Sequence, residues 1–462
     1  MHDEPLRTSY RAILRVAAPL IISMSAQVIM QFIDALFLAW YSPEAIAAVA
    51  PAGMMVWLVV SFFNGAAGYT AVFVSQYAGA RRPDRLAPVV WQGIWFGVAA
   101  GGLIALLALV RGPLFDAVGH APEVRRLETT FFGICCLAGP CILVSSALSG
   151  FFAGRRKTAV PMGVQLAGLA LNAALDYLLI FGKLGAPRLG MAGAAWATVV
   201  AQMLVLALLA ALFLAPGARR EFGTWRGRAL DRELLGRLIR FGLPQGARYT
   251  VEMVAWTCFL FVVGRIGTME LASTNIAWRI NAIAFFPIVG LSQAVSVVVG
   301  QTQGAGRPDL SARATWRGVA LTQIWMVSAA LLFVLAPGPL YALFQGANDA
   351  AAGTFTQVRE LGAVLLRYVA AYCLLDGMNI VVLGALQAAG DTRWTLAVSA
   401  LLHALFIGLM WVGDAVGTGL MNQWLLATVS VLVQGLVWLA RFFEGAWRRM
   451  SVLEPDAVGR GP

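Results

Sequence analysis

The chain has 462 residues, 60% of them hydrophobic and only 12% charged, with a mean hydropathy of +0.76 and a formal net charge of +11. A soluble domain carries roughly 25% charged residues, so this composition excludes an ordinary soluble enzyme. The positive charge fits the excess of arginine in the cytoplasmic loops of a membrane protein. A nucleic-acid surface would need a folded basic domain, and none is seen.

A transmembrane helix needs about 20 mostly apolar residues. The apolar runs are continuous and do not alternate as barrel strands do, so they predict helices. In chain order, twelve spans are expected near 16–40, 50–76, 88–110, 129–152, 160–182, 190–215, 242–264, 271–299, 315–336, 361–386, 395–413 and 420–443. With the N-terminus in the cytoplasm, 24 basic residues fall in cytoplasmic segments against 7 on the opposite side, which predicts that both termini are inside. The start holds acids and arginines before a long apolar run, unlike a cleavable signal peptide. Cys135, Cys136, Cys141, Cys258 and Cys373 all lie inside apolar runs and are expected to be small core residues.

The two halves repeat. Residues 75–93, SQYAGARRPDRLAPVVWQG, align at an offset of 225 with residues 300–318, GQTQGAGRPDLSARATWRG, and nine of nineteen positions are identical. The same offset aligns Leu14–Pro19 with Ile239–Pro244. The expected organisation is an N-terminal lobe over 1–215, a cytoplasmic inter-lobe loop over 216–240, a C-terminal lobe over 241–450 and a cytoplasmic tail over 451–462. Six spans per half send both halves into the membrane in one direction. Parallel repeats of this kind build carriers whose substrate sites lie near mid-depth.

Ionisable groups inside the spans are costly, about 2.5–3.5 kcal/mol each on insertion scales, so they mark function by default. Gln27, Gln31 and Asp34 stand at i, i+4 and i+7 in span 1, on one helix face. The competing reading is a hydrogen-bonded packing stripe. Span 5 carries Asn172 and Asp176 one turn apart. Span 7 carries Glu252, the repeat equivalent of Gln27, and span 10 carries Asp376 with Tyr372 one turn before it. A structural ion pair to Arg248, Arg279 or Arg367 is the alternative for the last two acids. Buried carboxyls can take and release a proton near neutral pH, or several oxygens can hold a hard monovalent cation. No GxxxxGK[ST] loop occurs, so ATP hydrolysis is not expected. One cation crossing 100 mV yields about 2.3 kcal/mol, enough for about a fiftyfold gradient of a neutral solute. His403 in span 11 reads as a packed core residue.

With these segments in hand, the chain resembles the multidrug and toxic compound extrusion (MATE) family, in its NorM-type branch, over nearly its whole length. The likeness lies in MQFIDALFLAW around Asp34, with Pro19 fifteen residues earlier in the place of that family's bending proline. It continues in LNAALDYLLIFGKLGAPRLGMAGAAWAT, WRINAIAFFPIVGLSQAVSVVVGQTQGA and ALQAAGDTRWT. FFAGRRKTAVPM is more basic than is usual there. The resemblance implies an all-α polytopic membrane protein, with about 12 transmembrane helices in two pseudo-symmetric six-helix lobes forming a V-shaped central cavity. It implies antiport of cationic or amphipathic compounds against inward H⁺ or Na⁺. Asp34, Asn172 and Asp176 would form the ion site of the N-terminal lobe. Glu252, Tyr372 and Asp376 would form that of the C-terminal lobe, with Na⁺ a candidate at Glu252 and Asp376. Gln27, Gln31 and Arg279 would line the cavity. The expectation is a monomer in the inner membrane with small-molecule substrates and lipid neighbours, no cofactor and no structural metal. A lipid-linked saccharide flippase, which tends to line its cavity with arginines, is the nearest alternative. An intramembrane lipid-modifying enzyme is a more distant one, since no nucleophile–base pair or metal-ligand set is visible.

Overall fold

The computed structural model describes residues 8–116, 120–344 and 352–454; Arg7, Arg460 and the tail beyond Glu454 lie outside them. The described chain is helical and contains no strand. The first half comprises α1 (Tyr10–Tyr41), α2 (Pro43–Gly68), α3 (Thr70–Gly79), α4 (Pro83–Leu106), α5 (Arg111–Asp116), α6 (Pro122–Cys136), α7 (Gly139–Ala153), α8 (Ala159–Phe181), α9 (Met191–Phe213) and α10 (Pro216–Phe222). The second comprises α11 (Arg232–Ile266), α12 (Thr268–Gly304), α13 (Pro308–Leu335), α14 (Pro337–Ala342), α15 (Ala352–Ala389), α16 (Thr392–Ala415) and α17 (Leu420–Glu444). Among the described residues eleven stretches are long and apolar enough to cross a membrane, α2 running on into α3 and α4 into α5. The helices α6 and α7, bent by 43° about Leu137 and Ala138, make a twelfth. Pro140 enters α7 in its first turn, where a missing N–H costs nothing, and it cannot extend the ladder of α6.

Local chemistry sets the helix starts. Ser42 caps α2 by accepting from the N–H of Ala45 at 3.1 Å, and Pro43 supplies the fixed φ of the first turn. The duplicated motif starts α4 and α13 in the same way. Arg82 and Arg307 precede them with φ/ψ of −107°/70° and −115°/68°, and Pro83 and Pro308 follow. Each arginine closes on the aspartate two residues on, Arg82 on Asp84 at 3.1 Å and Arg307 on Asp309 at 3.0 Å. The repeat read in the sequence is thus a repeat of backbone conformation. One difference from the sequence reading lies in the 216–240 segment, which contains α10 and the first nine residues of α11. The stretch RELLGRLIR keeps helical periodicity but carries too many arginines to register as an apolar span.

The chain divides into two compact units. The N-unit holds Ile22–Tyr249, Gly300–Gly306 and the described residues from Ser451 on. The C-unit holds the described residues up to Ile21, Thr250–Val299 and Arg307–Met450. The repeat-related helices α1 and α11 each change unit partway along. In both the change follows an internal proline, Pro19 or Pro244, at which the helix loses one backbone hydrogen bond.

Each unit has two apolar cores. In the N-unit, Phe73, Val90, Phe151 and Val164 belong to one, and Leu38, Phe132, Ile180 and Met191 to the other. In the C-unit, Phe259, Ile280 and Cys373 belong to one, and Val295, Met378 and Trp438 to the other. Asn172 and Asp176 lie along α8 between Val164 and Ile180, and Asp376 lies along α15 between Cys373 and Met378. The candidate acids therefore sit at the seams of the packing. The segment after α17 docks in the N-unit, burying Val452 and Leu453. Gln76 Oε1 accepts from Ser451 Oγ and from the Val452 N–H, both at 3.0 Å. Burial by itself would raise the Glu454 carboxyl, but its own backbone N–H, the Tyr77 hydroxyl and Arg237 at 2.6 Å together hold it below the usual range.

Two close approaches reproduce the repeat. A Cβ on Gly79 would strike the backbone carbonyl of Gln301, and one on its repeat partner Gly304 would strike that of Gln76, itself the repeat partner of Gln301. Likewise Gly65 meets the backbone of Gly246, and its equivalent Gly290 meets Ile21, the equivalent of Gly246. Only glycine permits such backbone contact. Gly79→Ala and Gly304→Ala should each destabilise the protein by about 1–3 kcal/mol, the usual range for overpacking. Gly102→Ala, where nothing lies within 4 Å of the added carbon, should not. Thermal unfolding in detergent reads this, and equal melting of all three variants would contradict the contact.

Candidate functional site

The N-unit cluster is built by two helices. Asp34 projects from α1; Asn172 and Asp176 project from one face of α8, four residues apart. Rings pack beyond the acids along both helices. Phe37 of α1 packs against Tyr177 and Phe181 of α8 at centroid distances of 6.2 and 6.0 Å. Asn172 and Asp176 are fully buried, and Asp34 is half-buried. In the orientation that its partners require, the Asn172 amide nitrogen donates to Asp34 Oδ1 at 3.0 Å and to Asp176 Oδ2 at 3.2 Å. The two carboxyl groups lie within hydrogen-bond reach of each other. The second oxygen of Asp176, Oδ1, is buried with no hydrogen-bond partner. Two carboxylates in contact cannot both keep full charge away from water. One shared proton, or one cation, neutralises the pair. Cys135 of α6 lies close enough to feel the charge of Asp34.

In the C-unit, Tyr372 and Asp376 occupy successive turns of α15, and Glu252 of α11 lies near enough to Asp376 for the two charges to repel. Tyr372 is buried, while Asp376 and Glu252 are half-buried. Asn379, three residues on, donates to Asp376 Oδ1 at 3.4 Å. Cys373 of α15 contacts Asn281 of α12 at 3.6 Å. Asp376 makes no ion pair among the described residues, so the structural salt bridge weighed for it is not formed. Asn379 escaped the sequence reading, although its i+3 spacing from Asp376 was a usable signal. Asn281 and Cys135 carried none, since their helices are remote in sequence from the acids.

Other expected residues stand apart. Gln27 and Gln31 are exposed on α1 and join no hydrogen bond of the Asp34 cluster; Arg279 is exposed on α12. Pro19 lies within α1, which continues through it. His403 is a core residue, as expected: its Nδ1 donates to the Ser399 carbonyl at 2.7 Å, and its Nε2 faces the Gln434 amide at 3.3 Å.

A duplicated helical membrane protein with a carboxyl cluster in each unit has the organisation of a membrane carrier. Comparison with known proteins narrows the class. The MatE family model matches residues 19–178 and again 248–411, so the chain belongs to the MatE family, and the double match restates the duplication. The probable multidrug resistance protein NorM of Pseudomonas putida is 31% identical over 409 residues, covering 88% of this chain and 87% of its own. Among solved structures, an outward-facing multidrug resistance MATE family transporter of the MOP superfamily superposes with a TM-score of 0.86. So does a MOP superfamily transporter from Pyrococcus furiosus, described as having a binding pocket of reversed polarity that suggests a different function. Each is 20% identical and covers 96% of this chain and 97% of its own. These two likenesses establish the fold.

Asn172→Ala should leave one carboxyl oxygen of Asp34 and one of the buried Asp176 without their donor and lower stability by about 1–3 kcal/mol. Melting of the purified protein checks this. An unchanged midpoint would show that the amide does not bridge the acids.

Proposed function

We propose that this protein exports cationic or amphipathic small molecules in exchange for inward H⁺ or Na⁺, by an alternating-access cycle in the inner membrane with both termini in the cytoplasm. The observation that carries the reading is the Asp34–Asn172–Asp176 cluster, two acids on different helices joined by one amide. Such a pair holds one neutralising charge. Exchanging that charge changes the attraction between α1 and α8, which gives an ion gradient a mechanical handle. The pair could hold a shared proton, or a cation on its carboxyl oxygens. Glu252 and Asp376, assisted by Tyr372, are the candidate oxygens for Na⁺. Gln27, Gln31 and Arg279 are proposed to line the cavity, and the chain is proposed to act as a monomer. The family assignment and the NorM relatives support multidrug substrates over the flippase alternative.

Asp34→Asn should abolish drug resistance in an efflux-deficient host while the protein still reaches the membrane. In proteoliposomes, wild-type uptake of a lipophilic cation should run under an imposed pH gradient, a sodium gradient, or both. Transport under neither gradient would sink antiport, and full resistance in Asp34→Asn would remove that acid from the mechanism.

A further inference from the structure

The segment joining α9 to α11 takes no part in the reading above, yet it is firmly held. Trp91 of α4 donates from its indole to the Thr224 carbonyl at 2.6 Å, and Trp95 donates to the Arg228 carbonyl at 3.1 Å. Gln92 between them donates to the Ala229 carbonyl at 3.0 Å and accepts from the Asp231 N–H at 3.2 Å. Three residues of one helix thus clamp the segment against α4. The clamp also fixes its depth. Trp95 is 40% exposed, and an exposed apolar stripe of Val98, Leu103 and Leu106 continues along α4 beyond it. An exposed apolar stripe on a spanning helix faces lipid, and tryptophan gathers where the apolar core meets the headgroups. The clamped segment therefore lies at headgroup level.

What it presents there is specific. Trp225 is 48% exposed and Leu230 56% exposed. The guanidinium of Arg228 sits 4.9 Å from the centre of the Trp225 ring, and that of Arg219 sits 5.4 Å from it. Two cations on one ring repel each other, and the Trp225 carbonyl to which Arg228 donates at 3.4 Å carries no charge, so an anion would offset the repulsion. Arg219, Arg220 and Arg228 are exposed, and none forms an ion pair among the described residues. The nearby acids are otherwise placed: Asp231 lies 3.9 Å from Arg85, and Glu221 interacts with Arg155. Arg226 lines a shallow cavity with Asp84 and Glu221 and is left out of the cluster. Arginine forks match phosphate oxygens bidentately, while the indole and Leu230 offer surface for a glycerol backbone and the first acyl carbons.

We propose that Arg219 and Arg228, gathered on Trp225, form a binding site for the phosphate headgroup of an anionic membrane lipid. The site is independent of the ion cluster. Basic residues near an anionic leaflet each contribute about 1 kcal/mol, or about fivefold in affinity. Removing both arginines should cost about 25-fold.

Native mass spectrometry of the detergent-purified protein, titrated with phosphatidylglycerol and with phosphatidylcholine, tests this. Wild type should retain phosphatidylglycerol preferentially, and Arg219→Gln/Arg228→Gln should lose most of that preference. Lys183→Gln/Arg188→Gln, which removes the same charge elsewhere, should keep it. Quenching of tryptophan fluorescence by brominated phosphatidylglycerol gives a second reading, and Trp225→Phe should lose part of it. Inorganic phosphate at millimolar concentration should not displace the lipid. Three results would overturn the proposal: no preference in wild type, an equal fall in both double variants, or full displacement by inorganic phosphate, which would mark a site for free anions.

Discussion

Two carboxyl groups from different helices meet in the buried interior of the N-unit, and the electrostatics of that meeting constrains everything near it. Asp34 and Asp176 repel when both are charged, and the full burial of Asp176 limits screening by water. The Asn172 amide, donating to both at 3.0 and 3.2 Å, offsets part of the repulsion and holds the oxygens in place. It does so without supplying a charge. A shared proton or a bound cation would neutralise the pair. The ring packing of Phe37 on Tyr177 and Phe181 keeps α1 and α8 in the register that this geometry needs.

The C-unit answers the same problem with looser means. Glu252 and Asp376 sit farther from full burial, and Asn379 approaches only one carboxyl oxygen, at 3.4 Å. The two clusters are not repeat images of each other. Phe259 occupies the position equivalent to Asp34 at the 225-residue offset and lies in an apolar core. What the halves share is scaffold: the paired Arg–Asp helix starts, the proline-containing α1 and α11, and the glycine contacts at 79 and 304. The duplication kept the frame, and the acids diverged on it.

Much of this is legible in the sequence. Continuous apolar runs gave the twelve crossings, because a chain in lipid has few other ways to satisfy its backbone. The i, i+4 spacing of Asn172 and Asp176 put them on one face. Their meeting with Asp34 rested on family resemblance, since nothing local to either helix specifies a contact between residues more than a hundred positions apart. Boundaries failed where amphipathic sequence continues a helix into water, as at Arg232–Arg240 of α11. The bend between α6 and α7 was hidden inside one apolar run, although Gly139 and Pro140 marked its place. Gln27 and Gln31 share the helix face of Asp34 by spacing, yet they join none of its hydrogen bonds, because a shared face does not by itself supply a partner.

The proposal open to the most direct test is that the Asp34–Asp176 pair holds one proton, released when substrate binds. Calorimetry of a lipophilic cation binding to the purified protein, in two buffers of different ionisation enthalpy at one pH, counts the protons released. The account predicts about one proton released by wild type and none by Asp34→Asn. No release from wild type, or the same release from both proteins, would contradict it.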